Sequence, residues 1–127
     1  MTDIELAKQW ITEKQQANRP ADFEDTASDA LDELIQEDPS RAFKIVHTIV
    51  QHADDEKVLA SLGAGPLEDL INSDLAAQFI DDILEHARQD KNWRFALGCV
   101  WPSETKSKET YKKVTDAIKL YFPNGTP

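Results

Sequence analysis

The sequence predicts an all-α fold, a single compact domain of about seven to eight short helices. Apolar residues recur at intervals of three and four along most of the chain, and no segment alternates as a half-buried strand would. Ser, Thr or Asp residues of the kind that begin helices precede most of these stretches. Short loops between the helices favour an irregular antiparallel bundle or solenoid-like stacked helical hairpins. No clear internal repeat is present, which makes the solenoid the less favoured form.

Length and composition indicate a soluble, acidic, cytoplasmic protein. The 127 residues suffice for one domain, expected over residues 1–122, with 123–127 as a frayed C-terminal tail. Acidic residues number 24 against 14 basic ones, and the net charge of −10 argues against nucleic acid or anionic membranes as partners. Cys99 is the single cysteine, so no intrachain disulfide can form and a reducing compartment is expected. Neither a membrane-spanning apolar run nor a signal peptide is recognisable.

Two helices are expected in the N-terminal part of the chain, and the second has a strongly acidic face. Helix 1 begins at a capping box, Thr2 with Glu5, and is expected to continue to about Ala17. Helix 2 starts near Asp22 and has two sharply different faces. Its expected apolar positions are Phe23, Ala27, Ala30, Leu31, Leu34 and Ile35. The opposite face is acidic, with Asp25, Asp29, Asp32 and Glu33, and with Glu24 beside them.

The remaining helices begin at recognisable signals. Asp38 followed by Pro39 predicts the start of helix 3, and acids at 54–56 favour the first turn of a short helix 4 that stops at Gly63. The expected N-terminal residues of helices 5 to 8 are Pro66, Ser73 or Asp74, Asp90 and Ser107. Pro102 is expected to terminate helix 7.

Two blocks of the sequence resemble an uncharacterised bacterial family of small all-helical proteins. The first is a GPLEDL-type motif within residues 63–71, and the second is an FI…A…D…FR.AL..VW-type block within residues 79–101. The residues that we assign to this structural motif are Gly63, Gly65, Pro66, Leu67, Glu68, Asp69, Trp93, Arg94 and Trp101. The resemblance implies a fold and a bacterial origin, but no activity, cofactor or catalytic residue.

Several candidate sites have simpler structural explanations. The loop at 63–66 could bind an anion at a helix N-terminus, but it lacks a lysine and a hydroxyl, and turn chemistry is the better interpretation. His47, His52 and His86 lack metal-ligand spacing and are expected to be structural or surface residues. Cys99 lies among apolar neighbours and is expected to be inert.

Aromatic residues of helix 7 could line a ligand pocket. Trp93, Phe95 and Trp101 lie close together in the sequence, but aromatics at helical spacing usually belong to the core, which is our interpretation here. An accessible groove near Trp10 and Trp101 stays open as an alternative.

The acidic face of helix 2 has the most specific functional interpretation. Like charges one helical turn apart destabilise a helix by roughly 0.2–0.5 kcal/mol per pair, so a cationic partner would explain the face, as would solubility. A basic counterpart near the C-terminus makes weak head-to-tail self-association an alternative to a monomer. It consists of Lys106, Lys108, Lys112, Lys113 and Lys119.

These observations favour a non-enzymatic protein–protein interaction module. In its sharpest form it is an immunity-type inhibitor that binds a protein with a basic surface. The alternative is a helical scaffold or small-ligand-binding protein that uses an aromatic groove near helices 5–7. An enzyme would need converging titratable groups, and we expect no catalytic residue, cofactor or metal. The possible members of such a cluster are Glu68, Asp69, Asp82 and His86, which nothing in the sequence places together.

Overall fold

Helices account for the regular structure throughout the described chain. The computed structural model describes residues 1–16, 25–103 and 107–127, and no strand occurs within these ranges. The elements are α1 Asp3–Gln15, α2 Thr26–Glu37, α3 Pro39–His52, α4 Glu56–Leu62, a π-helical turn Gly63–Leu67, α5 Glu68–Ile71, α6 Ala76–Gln89, α7 Lys91–Gly98 and α8 Lys108–Tyr121. Because α4, the π-helical turn and α5 are continuous, they form one helix, and the described residues contain seven. The predicted all-α class is confirmed.

Most helices begin at the N-cap residues that the sequence predicts. The Asp38 carboxylate accepts from the Arg41 backbone N–H, with Pro39 in the first turn of α3. Five helices have such caps, at Thr2, Asp38, Asp55, Asp90 and Ser107. These start signals are local in sequence, which is why they could be identified without knowledge of the fold.

Other boundaries differ from the prediction. Helix α6 begins after Leu75 rather than at Ser73 or Asp74, because the Ser73 hydroxyl instead donates to the Leu70 carbonyl and accepts from the Leu75 N–H. Helix α7 ends at Gly98, before Pro102 can terminate it. The expected start of helix 2 near Asp22, and the apolar position Phe23, lie outside the described residues, as does Ala17 at the expected end of helix 1.

The predicted break between helices 4 and 5 is wrong. Gly63 has helical dihedrals, φ −63° and ψ −45°, and the chain continues through the π-helical turn into α5. Pro66 lies inside that turn. A proline normally collides with the carbonyl four residues earlier, and a wider i→i+5 turn relieves this conflict. The glycines and the proline therefore widen a helix rather than end it.

The continuous helix 56–71 joins two groups of helices. Helices α1, α2 and α3 pack together on one side, and α6, α7 and α8 on the other. Helix α4 contacts both α1 and α7, while the π-helical turn contacts α7 and α2. Trp10 on α1 and Trp93 on α7 are the largest fully buried side chains. A single core runs through both groups, and Ile4 of α1 lies outside it with 53% exposure.

Candidate functional site

Three acidic side chains of helix α2 point to solvent, as the sequence predicts. Asp29, Asp32 and Glu33 are exposed, while Asp25 at the N-cap position is half-buried. We call these four residues the acidic surface. Glu24, the fifth residue predicted for it, lies outside the described residues.

A buried carboxylate of helix α1 holds the start of α2. Glu13 is 4% exposed, and its two carboxylate oxygens accept from the backbone N–H groups of Ala27 and Ser28 at 2.9 and 3.2 Å. The first N–H groups of a helix have no partner within it, so this negative group satisfies two of them and complements the helix dipole. Gln9 donates to the same carboxylate at 3.1 Å. The orientation of the acidic surface is therefore fixed by α1.

The two glycines of the π-helical turn have opposite surroundings. A Cβ atom at Gly63 would lie 2.1 Å from the Ala96 carbonyl oxygen and 2.8 Å from Cys99 Cβ, so α7 packs directly on this backbone. A Cβ atom at Gly65 would meet nothing within 4 Å. Gly63 therefore allows close helix packing, while Gly65 leaves space open on the other side.

That open space is a cleft in which the two predicted acidic features meet. Asp32 from the acidic surface and Asp69 from the GPLEDL-type motif both line it, and its volume is about 270 Å³. We call it the α2 cleft. Its lining residues are Trp10, Lys14, Ser28, Asp32, Ser61, Ala64, Gly65, Pro66 and Asp69. The sequence separates the two aspartates widely, and only the packing of the π-helical turn on α2 brings them together.

The pKa values of both aspartates in the α2 cleft are raised. Partial burial against the cleft raises the pKa of Asp32, and the neighbouring Asp29 charge raises it further, while Lys14 lowers it. Burial also raises the pKa of Asp69, followed by the charges of Asp32 and Glu68. Burial is the largest cause for both carboxylates, and each also lies near another negative charge.

A buried hydroxyl group beside the two aspartates lacks a hydrogen-bond partner. Ser28 is 9% exposed and lines the α2 cleft, and its Oγ is the one buried side-chain polar atom found unpartnered in the part of the chain that the structure describes. A buried hydroxyl without a partner is costly, so this atom favours a polar group in the cleft.

Glu68 and Arg94 of the motif have structural roles. Glu68 Oε1 accepts from the Trp101 backbone N–H at 2.7 Å, which ties α5 to the segment after α7. Arg94 Nη1 donates to the carbonyls of Ala87 and Arg88 at 3.1 and 3.2 Å, where α6 needs donors at its C-terminus. Leu67, also of the motif, is fully buried in the core.

Trp93 is a core residue, as predicted, and it organises two histidines. Its indole N–H donates to His47 Nδ1 at 3.1 Å, and the His47 and His86 rings stack with centroids 4.3 Å apart. Burial and the adjacent His86 lower the pKa of His47, while Asp90 opposes this effect. The sequence did not reveal this cluster, because its members come from α3, α6 and α7. Among the described residues, no group of three or more His, Cys, Asp or Glu side chains could hold a metal ion.

Trp101 is not a core residue, contrary to its prediction. It is 83% exposed and lies beside a groove of about 340 Å³ that also includes Tyr111 and Ile118 of α8. Helix α7 ends at Gly98, so Trp101 lies beyond the apolar stripe on which its burial was expected. Trp10 lines the α2 cleft instead, which is a different cavity from the groove beside Trp101.

The basic counterpart is partly neutralised within the protein. Lys112 pairs with Asp116 on the same helix, and Lys113 pairs with Asp81 of α6 and with Glu109. Lys106, also predicted for this group, lies outside the described residues. Cys99 is half-buried, and burial raises the pKa of its thiol, as expected for an unreactive cysteine.

Fold and surface together define a small all-helical protein with a concentrated acidic face. The chain belongs to a family of unknown function (DUF6869), whose match covers residues 13–120. This agrees with the expected membership in an uncharacterised family. No curated protein and no solved structure matches the chain. None of the described helices combines the length and the apolar character needed to cross a membrane.

Proposed function

We propose that this protein is a non-enzymatic interaction module of the bacterial cytoplasm whose acidic surface binds a protein with a basic surface. The observation that carries the proposal is the exposure of Asp29, Asp32 and Glu33 together on one face of α2, beside a third aspartate, Asp69, contributed by α5. Such a concentration of like charge speeds association with a basic partner and selects against acidic partners, including nucleic acid and anionic membranes. A monomer or weak homo-oligomer would serve this role.

The most specific form of the proposal is an immunity-type inhibitor. Such a protein would cover a basic active site, and complementary charge would supply both rapid capture and selectivity. The rigid attachment of α2 to α1 through Glu13 supports it, because a surface that is already ordered loses less entropy on binding.

Affinity capture from host lysate tests the proposal. Wild-type protein is compared with an Asp29→Lys/Asp32→Lys variant, and retained proteins are identified by mass spectrometry. The matched control is Asp82→Lys/Glu85→Lys, which changes the net charge equally at exposed positions of α6, a helix that packs mainly on α5, α7 and α8.

We expect wild type and the control to retain one basic protein that the α2 variant loses. Binding of the purified pair should weaken at least about tenfold for the α2 variant, with an unchanged circular dichroism spectrum. Equal retention by all three proteins, or no specific partner for any of them, would contradict the proposal.

A groove between the segment after α7 and helix α8, rather than near helices 5–7 as expected, supports a second candidate, a small-ligand-binding or scaffold protein. Trp101 is 83% exposed next to Tyr111 and Ile118, and a large aromatic side chain left in solvent is a frequent anchor for ligands. This candidate predicts ligand binding that is lost in Trp101→Ala and depends little on salt. Binding that persists in that variant would exclude the groove.

A further inference from the structure

We propose that the α2 cleft receives the guanidinium group of an arginine side chain. The inference rests on the proposed function and deepens it, because the arginine would come from the basic partner. Asp32 and Asp69 would accept its N–H groups from two sides of the cleft. A planar group with five fixed N–H donors suits two carboxylates and a hydroxyl better than the compact ammonium of lysine does.

The balance of charge in the cleft favours an incoming cation. The cleft is lined by two aspartates and by one cation, Lys14. Lys14 lowers the pKa of Asp32, but no ion pair joins these two side chains within the described residues. Glu68 adds a third negative charge that acts on Asp69. An additional cation would compensate the excess negative charge that both aspartates sense.

The unpartnered hydroxyl of Ser28 is an independent sign of a missing polar ligand. Its Oγ is buried within the wall of the cleft and accepts no hydrogen bond from the described protein. Because the Oγ atom itself is closed off from solvent, the Ser28 side chain would rotate toward the cleft to accept a guanidinium N–H, which would remove the cost of the unsatisfied group. The two carboxylates alone would not distinguish a binding site from a repulsive surface, whereas the buried hydroxyl does.

The cleft also has room for a side chain to enter beside Lys14. Trp10 is fully buried behind the wall of the cleft, and the ammonium of Lys14 lies 5.3 Å from the centre of the Trp10 ring. Gly65 opens onto unoccupied space, so a side chain can enter from that side. Lys14 would be a cation already present at the site, and an arginine side chain would either displace it or lie beside it.

The test is a titration of the ¹⁵N-labelled full chain with ethylguanidinium chloride, followed by ¹H–¹⁵N correlation spectra. Ethylammonium chloride and sodium chloride at equal ionic strength are the reference titrations. We expect saturable shifts for ethylguanidinium at the Ser28 and Gly65 amides and the Trp10 indole, with weaker binding of ethylammonium.

Four variants separate specific binding from general charge. Asp32→Asn/Asp69→Asn should weaken ethylguanidinium binding at least about tenfold, because hydrogen bonds to two charged groups are lost. Asp29→Asn/Glu33→Gln removes the same charge outside the cleft and should weaken it less than about twofold. Gly65→Leu should block binding with every charge retained, and Lys14→Gln should strengthen it by removing the competing cation.

Two results would overturn the inference. One is identical, unsaturated shifts for all three salts, and the other is equal loss of binding in both double variants. Failure of this test is distinct from failure of the proposed function. A basic partner captured through α2 without ethylguanidinium binding would overturn only the arginine site, whereas saturable ethylguanidinium binding without a captured partner would support the site and contradict only the function.

Discussion

Gly63 and Gly65 lie two residues apart in one π-helical turn, yet an added methyl group should affect them oppositely. At Gly63 it would collide with the Ala96 backbone, which cannot move without shifting α7. We expect Gly63→Ala to destabilise the fold by about 1–3 kcal/mol, the usual cost of overpacking, or more. Gly65→Ala should be neutral or stabilising, since the methyl group meets open space and alanine favours helix. Urea unfolding at pH 7 measures both, and equal stabilities would contradict the packing described here.

Glu13 provides a second prediction at the scale of one residue. Glu13→Ala leaves two backbone N–H groups of α2 without their acceptor, and we expect a loss of about 2 kcal/mol or more. Glu13→Gln keeps one amide oxygen as acceptor and should lose less. Chemical denaturation of both variants checks this order. Equal stability of Glu13→Ala and wild type would show that α2 does not need this cap.

Individual helices show which parts of the structure the sequence can predict. Caps such as Asp38 and Asp90 were predictable, because a cap and its N–H partner lie within three residues of each other. The π-helical turn was not, since Gly and Pro between 63 and 66 resemble a helix break and only contact with α7 explains its continuity. The α2 cleft could not be predicted either. The acidic face of helix 2 and the GPLEDL-type motif, which supply its two aspartates, were each recognised in the sequence, but nothing there placed them together.

The two aspartates of the α2 cleft, one on α2 and one on α5, predict an effect of charge on stability. A raised pKa means that the folded state disfavours the ionised carboxylate, so both aspartates of the cleft reduce stability at pH 7. Asp32→Asn/Asp69→Asn should therefore stabilise the free protein, by roughly a few tenths of a kcal/mol because solvent screens these partly exposed charges. The gain should disappear as pH falls below the raised pKa values, where wild type also becomes neutral. Asp82→Asn, exposed on α6, is the control and should change little.

The packing of α3, α6 and α7 around His47 predicts that stability falls at low pH, which is opposite to the effect of the two aspartates. Protonation of His47 would bring positive charge beside His86 and would remove the acceptor of the Trp93 N–H. The negative charge of Asp90 favours the protonated form and opposes these two effects. The unfolded chain then binds the proton more readily, so His47 contributes a loss of stability as pH falls through about 6.5 toward its lowered folded pKa. Denaturation midpoints between pH 8 and pH 5 should fall less in His47→Asn than in wild type. His52→Asn is the control, and identical pH profiles for all three proteins would contradict this cluster's role.

For the whole molecule, the net charge of −10 matters through its distribution. Lysines of α8 are drawn into pairs with acids on α6 and α8, whereas the acidic surface adjoins further negative charge at Asp69. This asymmetry leaves α2 as the face on which a basic partner gains most. Head-to-tail self-association is correspondingly weakened, because its basic half is partly satisfied within the protein.

In the proposed function, the acidic surface and the α2 cleft together recognise a basic protein. The most direct measurement is the affinity of the captured partner for wild type and Asp32→Asn/Asp69→Asn over a range of sodium chloride concentrations. We predict that wild-type affinity falls as salt rises, and that the variant binds more weakly at low salt by a margin that narrows at high salt. Equal affinity of the two proteins at every salt concentration would contradict the claim.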